Sequence, residues 1–263
     1  MIIGGSGHEP AHAGFIGQGM LSGAVFGKVF ASPSVFSILE AIKACAGRHG
    51  VLLIVKNYTG DRLNFGMAVE RAKAEGYKAE MVIVDDDAAL PEGTVVAQPC
   101  VVCTPYWHIC MLALTLYDAS VLYAIGKGIT GGRGVAGTLF IHKIAGAAAF
   151  RGHTLEKVVN IARHTVSHVR SLGFALSVCT LPGIAAVASR LPGNMIEAGI
   201  GIHGEPGMQM TLPVNDNGVC GEVCDMITKL ALDKILGTDA TGSGARLVMQ
   251  QGSEVALMIN NLG

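Results

Sequence analysis

Charge is what this sequence has least of. Only 15% of its 263 residues are Asp, Glu, Lys or Arg, against about 25% in an average soluble domain. The signs nearly cancel, at 20 acidic and 19 basic residues. Without an excess of cations there is no concentrated basic surface to displace counterions, which excludes a dedicated nucleic-acid binder. A basic and then apolar leader is also missing, because Met1-Ile2-Ile3 runs straight into Gly4-Gly5-Ser6-Gly7, and no secretory signal is expected. Seven cysteines, an odd number without such a signal, read as reduced thiols, so the expected compartment is the cytoplasm. From Gly93 to Tyr117 charge is absent altogether, over a length that could cross a bilayer. Gln98, Pro99, Pro105 and His108 interrupt that stretch and its densest apolar run, Ile109 to Leu116, is short, so no membrane span is expected.

Apolar residues, by contrast, are half the chain. Such a sequence buries enough to offset its ordering entropy, which excludes disorder as the dominant state. Its length allows one or two domains with a real core. Glycine, at 36 residues, is roughly twice its usual share. With no collagen period, these glycines point to tight turns that bring backbone close to a ligand.

Short apolar runs alternate with helical periodicities, the pattern of an α/β protein. Val51 to Val55 and Met81 to Val84 read as strands buried on both faces, as in a parallel sheet covered by helices. Helices are expected over Ser34 to Arg48, over the stripe Phe65, Ala68, Val69 and Ala72 with Gly76 as its stop, and over Leu155 to Val169 with Gly173 closing it. Phe174 to Val178, Ile200 to Ile202 and Val255 to Ile259 read as further strands, with a helix through Val223, Met226, Ile227 and Leu230 before the last. The expected architecture is a largely parallel α/β domain over residues 1–170 and a smaller α/β lobe over 171–263, both incomplete. Gly4 turns after only three residues, and the final strand ends at Leu262-Gly263, so both ends are expected to be cut within a domain.

In a parallel sheet, functional groups gather beyond the carboxyl ends of the strands. Polar clusters occupy three such places: Gly4 to Glu9, Lys56 to Asp61, and Asp85 to Asp87. A fourth, Gly201-Ile202-His203-Gly204-Glu205, lies in the later half. Polar, glycine-rich turns are common; four of them in one chain make a site the better reading, without naming its substrate.

The longer segments around these clusters are specific. GGSGHEPAHAGFIGQGML from Gly4, LLIVKNYTGDRLNF from Leu52, VIVDDD from Val82, GVAGTLFIHKIAGAAA from Gly134 and GIGIHGEPG from Gly199 resemble the dihydroxyacetone kinase family. The match is to its substrate-binding K (DhaK) domain, most closely of the eukaryotic ATP-dependent triokinase/FMN cyclase type. The resemblance implies a glycerone kinase, with His203 attacking the ketone carbonyl through Nε2 to form a hemiaminal. Glycerol has no carbonyl, so such a site discriminates against it. It further implies that His8 and Asp61 flank the hydroxyl to be phosphorylated, one accepting its proton and the pair orienting it. Gly5, Ser6, Gly7 and Lys56 match positions that hydrogen-bond the rest of the substrate, dihydroxyacetone or glyceraldehyde. ATP and Mg2+ are expected on a separate nucleotide-bearing L domain or subunit, with no cofactor or metal on this chain itself, and a homodimer is expected. The competing class is a non-catalytic carbonyl-binding module, a degenerate paralogue without kinase turnover.

Other candidates read as structural. His12, four residues after His8, is expected to cap or pack, and His142, His153, His164 and His168 to be structural or solvated. Asp85 to Asp87 suits a hard cation in composition, but reads as a strand-end and turn feature. Cys100, Cys103, His108 and Cys110 fit no common zinc spacing. The chain also departs from the family pattern. Ile3 stands in place of a glycine; the full first strand is expected to be missing, so that the His8 loop is expected to be weakly held; an apolar insert spans residues 91–130; the turn before Val135 reads Gly131-Gly132-Arg133-Gly134; and Met208-Gln209-Met210 lacks an arginine.

Overall fold

The computed structural model describes residues 2–89, 132–177, 191, 193–215, 218–219, 221–236 and 251–261. Its larger part is a four-stranded, wholly parallel sheet in the order β2-β1-β3-β4. The strands are β1 (Ile2–Ser6), β2 (Ala24–Val29), β3 (Val51–Lys56) and β4 (Ala79–Val84). Alternate residues of β3 face opposite layers, as the pleat requires. Val51, Leu53 and Val55 enter one core with Ile38, Leu39 and Ile42 of α1 (Val35–Cys45) and Phe65, Ala68, Val69 and Ala72 of α2 (Thr59–Ala74). Ile54 joins Val82 and Val84 in the other, against Ile141, Ala145 and Ala148 of α3 (Thr138–Phe150) and Val158, Val159 and Ala162 of α4 (Leu155–Ser167). Two covered faces explain why β3 is a continuous apolar run.

Local chemistry sets the helix starts. Ser34, after Pro33, accepts the N–H of Ser37 at 3.1 Å, and Thr154 caps α4 through Lys157. Both satisfy donors that the first turn leaves orphaned. Past Ser167, a second sheet runs antiparallel in the order β5 (Phe174–Ala175), β6 (Met195–Ala198), β7 (Met208–Thr211). Ile196, Met210 and Leu212 pack there on Val223, Met226 and Ile227 of α5 (Gly221–Leu236). A short hairpin, β8 (Val214–Asn215) with β9 (Gly218–Val219), precedes that helix.

Four expectations need correction. β1 does not stop before the glycines but continues through Gly4-Gly5-Ser6, between β2 and β3, with a register shift between Gly4 and Ser6; glycine weakens a strand without forbidding one. Ile200 to Ile202 is loop, and the strand lies just before it at Met195–Ala198. Val255 to Ile259 forms no strand, and Val255, Leu257 and Ile259 are 68%, 82% and 86% exposed. Alternating apolar residues make a strand only where one face has something to cover it. The strand expected from Phe174 covers only Phe174–Ala175 among the described residues, with a bend after it; β2 carries too little apolar alternation to have been anticipated. Residues 91–130, with Cys100, Cys103, His108 and Cys110, lie outside the described residues. Among those described, no helix is long and apolar enough to cross a membrane.

Candidate active site

The carboxyl ends of β1, β2 and β3 meet the hairpin loop between β6 and β7. Gly7, following β1, has φ +101°, and a Cβ there would lie 2.6 Å from Phe30 Cε1, so only glycine lets the chain turn against that ring. His8 then lies against Phe30 with ring centroids 4.9 Å apart. Phe30 itself is a non-glycine residue at φ 55°, tied back by its N–H to Ser6 O at 2.9 Å. The loops after β1 and β2 are thereby one unit. From β3, Lys56 and Tyr58 are buried, and α2 begins with buried Asp61, which accepts the Ser32 hydroxyl at 2.5 Å.

His203 enters from the other sheet. Its ring is edge-on to Tyr58 at 4.9 Å and to His8 at 5.0 Å, with Phe30 at 5.6 Å. Behind it, Glu205 lies 3.0 Å from Nδ1 and also accepts the His203 backbone N–H at 3.0 Å. Burial alone would raise the Glu205 carboxyl, but these bonds and the nearby imidazole bring it down to about 2. A carboxylate can only accept, so Nδ1 carries the proton and Nε2 is the nitrogen with the lone pair. That half of the site is held by Arg133, 2% exposed, which donates from Nε to Asp87 at 2.6 Å and from its terminal nitrogen to Gly199 O at 2.6 Å.

The field in the cleft favours neutral bases. Burial, with Lys56 and His203 close by, holds the His8 imidazole down to about 3. Burial likewise brings the Lys56 ammonium down to about 8, against the pull of Asp61, Asp86 and Glu205. Asp61 moves up through burial, opposed by the Ser32 hydrogen bond and the charge of Lys56. The site thus pairs an unprotonated imidazole, weakened as a base by its burial, with a carboxyl that burial makes more basic and a buried amine, a set that can accept a proton from a hydroxyl and orient a small polar ligand.

Of the anticipated residues, His8 and His203 come together directly, and Lys56, Asp61 and His203 are coupled by charge. Ser6 instead donates its hydroxyl to Gly27 O at 2.8 Å, Gly5 lies within β1, and Gly7 serves the turn. Asp86 accepts the N–H groups of Val135 and Gly137 at 2.8 and 2.7 Å, and Asp87 is paired with Arg133, in keeping with a strand-end role. His12 is buried, as is His142, and the two imidazoles share a hydrogen bond. Sequence reasoning missed Phe30 and Ser32 as part of the site, and placed Tyr58 and Glu205 in its polar clusters without giving either a role. Glu205 had a signal, as an acid two residues from a glycine-flanked histidine; Phe30 and Ser32 had none.

Comparison with known proteins gives one consistent result. The Dak1 domain matches residues 1–108 and 113–263. The PTS-dependent dihydroxyacetone kinase 1, dihydroxyacetone-binding subunit DhaK of Listeria innocua is 40% identical over 99% of this chain and 71% of its own length. The crystal structure of the dihydroxyacetone kinase from C. freundii in complex with AMP-PNP and Mg2+ superimposes with a TM-score of 0.67 at 43% identity, covering 89% of this chain and 35% of that one. A dihydroxyacetone kinase operon co-activator, Dha-DhaQ, superimposes with a TM-score of 0.64 at 29% identity, over 90% of this chain and 62% of its own. The chain spans little more than a third of the length of the first curated relatives, 36 to 38%.

Proposed function

This chain belongs to the Dak1 domain family, and on that premise we propose that it is the dihydroxyacetone-binding part of a glycerone kinase, taking dihydroxyacetone or glyceraldehyde. The observation that carries the reading is the Glu205–His203 pair, with the His203 ring 5.0 Å from that of His8. In this mechanism the Nε2 lone pair of His203 attacks the carbonyl carbon. A C–N bond forms, the C=O π pair moves to oxygen, and that oxygen takes up a proton to give a hemiaminal hydroxyl. The ring gains positive charge as the bond forms, and the Glu205 carboxylate, already at Nδ1–H, stabilises it. His8 accepts the proton of the substrate's terminal hydroxyl while Asp61, held by Ser32, orients it for in-line attack. Lys56 and the backbone of Gly5, Ser6 and Gly7, at the carboxyl end of β1, complete the substrate contacts.

The phosphoryl donor, ATP with Mg2+, belongs in this reading to an L domain or subunit. The residues described here do not fit a nucleotide-bound magnesium. Asp86 is committed to backbone N–H groups and Asp87 to Arg133, and no cluster of three or more metal-ligating side chains occurs among the described residues. Residues 1–170 and 171–263 act as two lobes closing on the substrate, in a cytoplasmic homodimer.

Carbon NMR of dihydroxyacetone labelled at its carbonyl tests capture. Tetrahedral carbon with the wild type, and not with His203→Ala, is the expected result; an unshifted ketone signal in folded protein overturns it. The likeness to an operon co-activator favours a second reading, a carbonyl-binding module without turnover. Mixing the chain with an L domain and ATP separates the two, since only the kinase reading yields phosphorylated ketone.

A further inference from the structure

His8 sits on the long connection from Gly7 to Gly23, whose only regular piece is a single 3-10 turn, Ala13–Phe15. A base on such a loop needs an anchor to hold its nitrogen to hydrogen-bond accuracy. α3 supplies two. At Gly146 the helix meets the loop backbone: a methyl there would overlap Met20 O and lie 2.7 Å from Met20 Cα and 2.8 Å from Gly19 O. One turn earlier on α3, His142 reaches the loop with its Nε2 3.0 Å from Nδ1 of His12, four residues beyond His8. Phe15 packs on the His142 ring at 6.2 Å.

Packing does not account for the imidazoles. His12 is 3% exposed and His142 0%, among Leu21, Ile141 and Ala145, where a leucine pair would fill the same space. Their outer nitrogens, His12 Nε2 and His142 Nδ1, are buried and make no hydrogen bond among the described residues. Buried polar atoms without partners cost stability, so the pair contributes direction rather than stability. A metal ion held by the pair would need further ligands, and no group of three or more metal-ligating side chains occurs among the described residues. What remains is a single proton shared between two neutral rings, a directional link from helix to loop.

We propose that the buried His12–His142 hydrogen bond is a tether that positions the His8 loop against α3 for proton abstraction. The inference rests on the kinase reading above, in which His8 is the base. Both histidines are positioning residues, since neither touches the reacting atoms.

The test compares His142→Leu, which fills the space without the bond, with His142→Gln, whose amide can stand in for Nε2. Three measurements are made on each with the full chain: ketone capture by carbon NMR, phosphoryl transfer with an added L domain and ATP, and nitrogen NMR of the imidazoles. In the wild type one N–H proton should couple to two imidazole nitrogens. His142→Leu should lose that signal, keep ketone capture, and lower kcat roughly 10–100-fold with KM changed by less than about threefold. His142→Gln should recover most of kcat. Should the leucine variant fail to fold, His12→Leu against His12→Asn makes the same comparison from the loop side. An unchanged kcat in the leucine variant, a glutamine variant no better than leucine, or no shared proton in the wild type each overturns the tether. Loss of wild-type capture, or full kcat in His8→Gln, sinks the kinase reading instead.

Discussion

The Glu205 carboxylate holds the His203 ring by Nδ1 at 3.0 Å and its backbone N–H at 3.0 Å, so one side chain fixes both the tautomer and the orientation of the ring. Glu205→Gln breaks that rule. The amide can present N–H to Nδ1, which moves the ring proton to Nε2 and removes the attacking lone pair. Ketone capture by the variant should be slowed about 100-fold or more, as read by the rate at which labelled carbonyl carbon becomes tetrahedral. A rate within a few-fold of wild type sinks the orienting role.

Arg133 ties the segment after β4 to the loop after β6, through Asp87 on one side and Gly199 O on the other. Arg133→Met leaves Asp87 charged, buried and without its guanidinium, at a cost of about 3–5 kcal/mol. Because Gly199 begins the His203 loop, ketone affinity should fall as well. Asp87→Asn in the same background should recover part of the stability, since the stranded charge is then gone. Urea unfolding of the single and double variants decides this: equal stabilities would place the cost elsewhere.

Phe30 flanks both the His8 and the His203 rings, at 4.9 and 5.6 Å. A substrate captured on His203 meets this wall with one of its carbonyl substituents. Phe30→Ala should therefore raise kcat/KM for four- and five-carbon hydroxyketones relative to dihydroxyacetone by about tenfold, the scale set by one or two methylenes in an apolar slot. Competition between the two substrates measures the ratio, and an unchanged preference removes Phe30 as the wall.

How much of this was legible in the sequence follows the range of the forces involved. β3 and β4 stood out because burial on both faces leaves an unbroken apolar run, and α1, α2 and α4 because their stripes and stops are local. His203, His8, Lys56 and Asp61 were singled out because glycine-rich turns at strand ends are local too, and because long motifs matched a family. Phe30 and Ser32 were not, since each owes its place to a residue far along the chain, Gly7 and Asp61 respectively. The His12–His142 bond spans 130 positions and leaves no periodic trace. Val255 to Ile259 failed in the opposite sense, with a strand-like alternation that no neighbouring strand takes up among the described residues.

Acid should destabilise the protein through the buried histidine pair. Burial first, then Lys56, His142 and His8 for one ring, and the amino terminus and Lys56 for the other, hold His12 down to about 2 and His142 to about 3. In the unfolded chain both return to about 6.5, so below that pH the unfolded state binds more protons and stability falls as pH falls. The contribution is whole above pH 6.5 and is lost progressively toward the native values. Lys56, brought down to about 8, acts in the same direction but in a window above neutrality. Asp61, Asp86 and Asp87, raised by burial, act oppositely. Between pH 6 and 5 each depressed imidazole contributes up to about 1.4 kcal/mol per pH unit, and His8, held down to about 3, adds to the pair. Thermal melts from pH 7.5 to 5 should show a steepening fall in Tm, and the double variant His12→Asn, His142→Gln, with only His8 left of the three depressed imidazoles, should reduce that slope by roughly two thirds. If the double variant keeps the wild-type slope, the acid sensitivity lies outside the pair.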